Sequence, residues 1–357
     1  MYMMKILHTA DWHLDSPFRG QSPERQEALK KALLQVPEKI AALCRREQCD
    51  LVLIAGDLFD RAYSKESYLA AYSALEQMAV PVLITPGNHD YVGNQSPWKR
   101  ELWPENVTVF TQQTLTRVPL SGGAVWGAAF CAMEAPPLLE GFRAPEEAGR
   151  AIGILHGDAT QARSPYCPVT AKHIKECGLA YLALGHIHEA GSLRQGDTLC
   201  AWPGCPMGRG YDEAGEKGVL IVELGETAST RFVPLDTPRF YDLETPAGED
   251  PVSAVGALLP AAGSGDFYRI TLTGHSQRLD LYALQREFSH FPNLELLDKT
   301  LPPVDPWSAV GEDTVEGVYF SLLQAALEGA DTQGQEIVRL AANISRQLLD
   351  GQEVKLP

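Results

Sequence analysis

The chain has 357 residues, 45% hydrophobic and 21% charged, and its 30 basic against 46 acidic residues leave a formal net charge of −16. Such a composition excludes wholesale disorder and accommodates one sizeable domain with one or two smaller ones. No apolar run approaches the roughly 18 residues of a membrane span. The stretch Met1–His8 lacks the apolar core of a signal peptide, and the seven cysteines include no Cys-x-x-Cys pair. The expectation is a cytoplasmic protein with reduced thiols and no membrane partner. The acidic balance argues against strong DNA binding by this chain alone, although a carboxylate cluster that holds cations is offset locally by them.

Met4 to His8 reads as a short strand, with Thr9-Ala10-Asp11-Trp12-His13-Leu14-Asp15 at its end. Asp11 and His13 stand two apart, which in extended backbone puts both side chains on one side. From Pro23 to Glu47, Leu29, Leu33, Val36, Ile40 and Leu43 recur at helical steps, with a break or kink expected at Pro37. Asp50 to Ile54 is an apolar strand followed by Ala55-Gly56-Asp57-Leu58-Phe59-Asp60. Ser64 is placed to cap a second helix presenting Tyr68, Tyr72, Leu75 and Met78. Val80 to Ile84 then ends in Thr85-Pro86-Gly87-Asn88-His89-Asp90, where an amide, an imidazole and a carboxylate stand in a row. Strand, helix, strand, helix, strand, with a polar cluster after each strand, is the pattern of a layered α/β sheet.

Short strands are expected over 107–110, 115–118 and 124–130. Ala151 to Leu155 leads into His156-Gly157-Asp158, and after a short helix over Lys172–Cys177, Leu179 to Leu184 leads into Gly185-His186-Ile187-His188. Strands over 198–202 and 218–223 complete what reads as a two-sheet sandwich. Residues 236–265, rich in Pro, Gly and Ala, read as a linker or domain edge. A small strand–helix–strand unit is expected over 267–272, 278–288 and 293–297. Two helices close the chain, about 314–328 and 333–349, the second with an apolar stripe of Ile337, Leu340, Ala341, Ile344 and Leu348.

Collected from the strand ends, Asp11, His13, Asp57, Asn88, His89, His156, His186 and His188 form a mixed oxygen and nitrogen donor set without cysteine. Such a set suits Mn²⁺, Fe, Zn²⁺ or Mg²⁺. Each fragment alone is weak, since a lone Gly-Asp is usually a turn; the recurrence at five strand ends is what carries weight. Seven or more converging groups suffice for two ions, and Asp57, alone at its strand end, is the candidate bridge between them. His8 is expected to pack rather than ligate. Asp15, Asp60 and Asp158 are read either as supports of the site or as turn residues. Arg19, Arg61, Lys99 and Arg100 follow motif loops and are read first as solvated surface.

Asp11-x-His13, Gly56-Asp57, Gly87-Asn88-His89-Asp90, His156-Gly157-Asp158 and Gly185-His186-x-His188 resemble the motifs of the calcineurin-like metallophosphoesterases. More narrowly, the opening Lys5–Asp15, the run Gly56–Asp60, and Pro203-Gly204 followed by Tyr211-Asp212-Glu213 and Lys217-Gly218 are similar to the SbcD-type DNA repair exonucleases, including the YhaO-like group. The resemblance implies a two-sheet α/β sandwich with a small capping-like α/β domain towards the C-terminus. It divides the chain into 1–235 (nuclease), 236–302 (capping-like) and 303–357 (helical, partner-binding). Carried over by position, it gives Asp11, His13, Asp57 and His188 to one metal and Asp57, Asn88, His156 and His186 to the other, Mn²⁺ being favoured. His89 becomes the group that contacts the phosphate or protonates the leaving oxygen, and Asp90 the residue that orients it. The implied activity is metal-dependent DNA exonuclease or endonuclease action in double-strand break repair. The implied partners are DNA, an SbcC-like coiled-coil ATPase and a second copy in a homodimer. The alternative is a nucleotide or cyclic-nucleotide phosphodiesterase using the same dimetal site.

Overall fold

The structure, a computed structural model, describes residues 3–146, 149–276, 279–301 and 305–351. By its internal contacts the chain divides into two compact units, Met1–Tyr241 with Gly265–Phe267, and Asp242–Ser264 with Tyr268–Pro357.

Two six-stranded sheets make up the first unit. In the first sheet β1 (Met4–Thr9), β2 (Leu51–Ala55), β3 (Val82–Thr85) and β4 (Val107–Val109) run parallel, and β11 (Gly218–Leu224) and β12 (Ala228–Pro234) extend it antiparallel beyond β1. The second sheet has the order β5 (Thr116–Leu120), β6 (Gly123–Gly127), β7 (Arg150–His156), β8 (Tyr181–Gly185), β10 (Thr198–Trp202) and β9 (Gly191–Gln195). Its four central strands β6, β7, β8 and β10 are parallel.

Alternation along the strands builds three apolar layers. Ile6, Leu51, Leu53, Ala55 and Leu83 of the first sheet meet Ile152, Ile154, Tyr181 and Ala183 of the second. On the outer face of the first sheet, Leu7, Val52, Ile54, Val82 and Ile84 pack against α1 (Pro23–Leu34), α2 (Val36–Glu47) and α3 (Lys65–Met78). On the outer face of the second, Trp126, Leu155, Leu182 and Leu184 pack against Ile174 of α5 (Ala171–Glu176). The result is the expected α/β two-sheet sandwich.

The break expected at Pro37 in the helical stretch 23–47 is present and falls at Gln35, two residues earlier. Proline lacks an N–H and its ring excludes the carbonyl four residues back, so the first helix must stop ahead of it. Gln35 N–H closes that end on the Ala32 and Leu33 carbonyls. Ser64 caps α3 through a reciprocal capping box with Ser67. A four-residue helix, α4 (Pro97–Arg100), and the edge strands β9 and β12 were not anticipated. The two edge strands expose alternate residues and carry little apolar signal.

Most of a three-stranded sheet belongs to the second unit: β13 (Phe240–Pro246), β14 (Phe267–Thr273) and β15 (Leu294–Asp298), the last two parallel and joined through α7 (Leu281–Glu287). The stretch read as a linker thus contains β13 and α6 (Pro251–Gly256), the latter capped by Asp250. Position 278, the expected start of α7, and the expected boundary at 302/303 lie outside the described residues. The hairpin of α8 (Val315–Gly329) and α9 (Thr332–Leu349) packs around Phe320 and Ala342. It leaves Val315, Val318 and Leu322 of α8 and Ile337, Leu340 and Leu348 of α9 exposed.

Candidate active site

All the strand-end groups lie at or just past the carboxyl ends of parallel strands, from β1, β2 and β3 in one sheet and β7 and β8 in the other. The segment after β1 does not leave the sheet freely. Asp11 N donates to Gly56 O, His13 N to Asp57 O and Leu14 N to Leu58 O, each at 3.0 Å, and pairing continues to a Leu14–Phe59 bridge. Asp11 and His13 converge, but not through extended backbone as expected. Asp11 (φ 53°), His13 (φ 46°), Asp57 (φ 50°) and His186 (φ 87°) all lie in the left-handed region. That region costs non-glycine residues about 1–3 kcal/mol each, and it persists where the surroundings over-determine it. Gly56 (φ +94°) stands where a Cβ would come 2.2 Å from His156 Nδ1, and a Cβ at Gly87 would come 2.2 Å from Asp57 Oδ1.

Asp11, His13, Asp57 and His156 are fully buried or nearly so, and Asn88 is almost as deep. His13 Nε2 lies 3.2 Å from His188 Nε2, 3.7 Å from Asp57 Oδ2 and 4.0 Å from Asp11 Oδ1. His156 Nε2 lies 2.9 Å from Asn88 Oδ1 and 3.4 Å from Asp57 Oδ2. Among the described residues, donors gather within 4.8 Å of one another as Asp11, His13 and His188; as His13, Asp57 and His89; and as Asp11, Asp57 and His156. His186 joins none of these groups. Its backbone N–H donates to both Asp11 oxygens at 3.1 and 3.0 Å, and its ring stands edge-on to His156 with centroids 5.2 Å apart.

Hydrogen bonds choose the tautomers. His156 Nδ1 donates to Ala55 O at 2.9 Å, and His188 Nδ1 donates to Glu213 Oε1 at 2.7 Å, so both rings turn Nε2 towards the centre. His13 also presents Nε2 there, and its buried Nδ1 has no hydrogen-bond partner among the described residues. Neighbouring donors on one ion with bonds of about 2.1 Å lie roughly 3 Å apart, so these lone pairs and carboxylates at 3.2–4.0 Å suit a divalent cation.

Without metal, the charges push hard on each other. Burial works against ionisation of Asp57, but His156, His13 and His89 outweigh it and hold its carboxyl far below the ordinary range. Burial likewise opposes protonation of His156, yet Asp57, with Asp11, raises it to about 9. Asp11 is raised to about 6 by burial against the pull of His188 and His156. His186 is lowered to about 4 by burial and by His156, which keeps it neutral.

The expectation that Asp90 orients His89 is corrected. Asp90 Oδ1 accepts from Gly87 N at 2.8 Å, and Oδ2 accepts from Leu58 N at 2.8 Å and Phe59 N at 3.3 Å. Its carboxylate is consumed in tying the β2 and β3 end loops together, and burial followed by the Asp57 charge raises its pKa to about 7. Asp60 takes the orienting place, accepting from His89 Nδ1 at 2.6 Å and raising the pKa of that imidazole. Asp57 Oδ1 fixes the His89 backbone N–H at 2.9 Å.

Glu213, of the Tyr211-Asp212-Glu213 run, and Arg209 join the site although neither belongs to a strand-end motif. Glu213 is buried against His188, and bonds from His188 and Arg209 hold its carboxyl well below the ordinary range despite burial. His8 packs as expected. Its Nε2 donates to Leu184 O at 3.0 Å and its Nδ1 accepts from Tyr181 OH at 2.7 Å, clamping one sheet to the other. A cavity of about 310 Å³ opens beside His89, lined by Arg61, Tyr91, Asn94, Gln95 and Met133.

Calcineurin-like phosphoesterases match residues 4–190, just over half of the chain. The chain is 31% identical over 239 residues to the Bacillus subtilis (strain 168) protein named uncharacterized metallophosphoesterase YhaO, covering 62% of this chain and 57% of that protein, so it spans less than two thirds of that relative. It is 26% identical over 282 residues to the D subunit of the nuclease SbcCD from the same organism, covering 66% of this chain and 71% of that one. With the corresponding SbcCD nuclease subunit from Staphylococcus epidermidis (strain ATCC 12228 / FDA PCI 1200) it shares 24% identity over 337 residues, covering 84% of this chain and 86% of the other. By its family match, its two-sheet sandwich and the donors at its strand ends, the chain belongs to the calcineurin-like phosphoesterases, a family that uses divalent metal ions.

Proposed function

We propose that the chain is a metal-dependent DNA exonuclease or endonuclease that hydrolyses phosphodiester bonds in double-strand break repair, as the cytoplasmic nuclease subunit beside an SbcC-like coiled-coil ATPase. The observation that carries the reading is Asp57, whose Oδ2 lies 3.7 Å from His13 Nε2 and 3.4 Å from His156 Nε2, between two sets of donors. Asp11, His13, Asp57 and His188 would hold one ion, and Asp57, Asn88, His156 and His186 the other, with Mn²⁺ favoured over Mg²⁺, Fe and Zn²⁺. Two such ions would supply Lewis acidity that activates water and neutralises charge on the phosphate. His89, its Nδ1–H given to Asp60, would keep Nε2 for the leaving oxygen and hold a proton there to higher pH than a free histidine.

The domain assignment that goes with this reading is nuclease over 1–235, capping-like over 236–302 and partner-binding over 303–357. Exposed Val315, Val318 and Leu322 on α8, with Ile337, Leu340 and Leu348 on α9, support the last of these. Self-association into a homodimer belongs to the same reading. A nucleotide or cyclic-nucleotide phosphodiesterase is the second reading, favoured by the net charge of −16.

The test uses purified protein with Mn²⁺ on 3′-labelled linear duplex, circular single-stranded DNA and a generic phosphodiester, with Asp57→Ala and chelator controls. Metal-dependent DNA cleavage lost in Asp57→Ala is the expected result. Turnover of the small ester with DNA untouched, even after the ATPase is added, would favour the second reading.

A further inference from the structure

Arg209 is clamped on one side only. Its backbone N donates to Glu213 Oε2 at 2.9 Å, its Nε lies 3.2 Å from both Glu213 oxygens, and its Nη2 lies 2.6 Å from Oε1. Those bonds fix the plane of the guanidinium and use two of its three nitrogens. Among the described residues Nη1 has no protein partner, and about a fifth of the side chain is open to solvent. The group borders the site. Nη2 stands 3.0 Å from His188 Nδ1, the nitrogen of that ring turned away from the centre, and the positive charge of Arg209 reaches His13, His89 and Asp60, from the ends of β1, β3 and β2. A rigid fork with a free donor, beside a site that handles phosphate, is the arrangement in which arginine recognises an anion.

The contact with His188 also has a consequence. Glu213 Oε1 accepts the Nδ1 proton of that ring, so the Arg209 Nη2–H cannot donate to the same atom. Arg209 is therefore held by Glu213 and not by the histidine.

We propose that Arg209 is a phosphate-binding residue of this site, Glu213 aligning its free Nη1 towards a non-bridging oxygen of the substrate, and that Glu213 thereby serves both phosphate capture and the fixing of His188. This rests on the phosphodiesterase reading above. The substrate class it implies is an anionic phosphodiester, and a neutral ester of the same size gains nothing from the guanidinium.

The test compares wild type, Arg209→Gln, Arg209→Lys and Glu213→Gln by calorimetry. Metal-free protein is titrated with Mn²⁺, and Mn²⁺-loaded protein with inorganic phosphate; hydrolysis of bis(p-nitrophenyl) phosphate gives KM and kcat. Arg209→Gln should bind phosphate roughly ten- to a hundredfold more weakly and raise KM in step, with Mn²⁺ affinity changed less than about twofold. Arg209→Lys should recover part of the phosphate affinity, since it restores a charge but not the fork. Glu213→Gln should weaken Mn²⁺ and phosphate binding together. Wild-type phosphate affinity in Arg209→Gln overturns the proposal, and so does a loss of Mn²⁺ as large as that in Glu213→Gln, which would make Arg209 a brace for His188. If loaded wild type neither binds phosphate nor hydrolyses the diester, the reading of the site fails first and takes this inference with it.

Discussion

Asp60 and His89 meet across the ends of two neighbouring parallel strands, with Asp60 Oδ1 2.6 Å from His89 Nδ1. The bond fixes the ring, leaves Nε2 free, and makes the imidazole a stronger base than it would be alone. A group that must deliver a proton benefits directly, because its acid form survives to higher pH. Replacing Asp60 with Asn keeps an acceptor but removes the charge. The expected result is a fall in kcat of roughly ten- to a hundredfold and an alkaline limb of kcat/KM displaced to lower pH, with metal content unchanged. A pH–rate profile of the Mn²⁺-loaded variant reads this, and an unmoved limb would remove His89 from the role of acid.

Asp90 should behave differently, since it touches backbone rather than the imidazole. Asp90→Asn turns an amide N–H towards backbone donors that now meet a carboxylate. A stability loss of about 2–4 kcal/mol follows from leaving buried donors unpaired. Denaturant melts of the chelated protein would show it, while the pH profile of any remaining activity keeps its shape.

Metal loading should release protons. In the metal-free protein His156, raised to about 9, donates from both nitrogens at neutral pH. A cation taking Nε2 must displace that proton, so roughly one proton per His156 leaves at pH 7.5, fewer as the pH approaches 9. Calorimetric titrations with Mn²⁺ in buffers of different ionisation enthalpy give the number. Identical heats in all buffers would mean that Nε2 is not a metal donor.

His8 sets part of the acid sensitivity of the fold. Burial lowers it from 6.5 to about 3, with the Leu184 carbonyl opposing. Between those values the unfolded chain binds a proton that the native chain refuses. The stabilisation is therefore complete above pH 6.5 and is lost as the pH falls towards 3, at up to about 1.4 kcal/mol per pH unit. His8→Phe strands the Tyr181 hydroxyl and the Leu184 carbonyl, and at pH 7 should cost about 2–5 kcal/mol. The gap between variant and wild type should then narrow on acidification. Parallel stability curves from pH 7 to pH 4, both proteins chelated, would show that His8 does not titrate with unfolding.

The strand-end groups are legible because β2 and β3 are apolar runs, past which Asp57 and Asn88 stand out as abrupt polar stops, and because Asp11 and His13 repeat that pattern after β1. Asp60 and Asp90 were harder. Both follow a motif, and sequence adjacency favoured Asp90 as the partner of His89. Loop pairing reverses that choice, because the segment after β2 delivers Asp60 to His89 from 29 positions away. Glu213 and Arg209 reach the site only through the packing of the segment before β11, a long-range contact for which spacing offers no signal. The edge strands β9 and β12 were missed for a third reason, since an exposed face lacks the apolar alternation that marks a buried strand.

The ladder from Asp11 N to Gly56 O through Leu14 N to Leu58 O has one more effect. It makes the floor of the site a continuation of the central sheet, so the left-handed turns at Asp11, His13 and Asp57 are set when the sheet assembles. An arriving ion then meets a cage already ordered and spends little of its binding energy on arranging the chain. Amide hydrogens of Asp11, His13 and Leu14 would exchange as slowly as those of β1 itself, with or without metal. An ion can then leave and return while the backbone that frames its site stays in place.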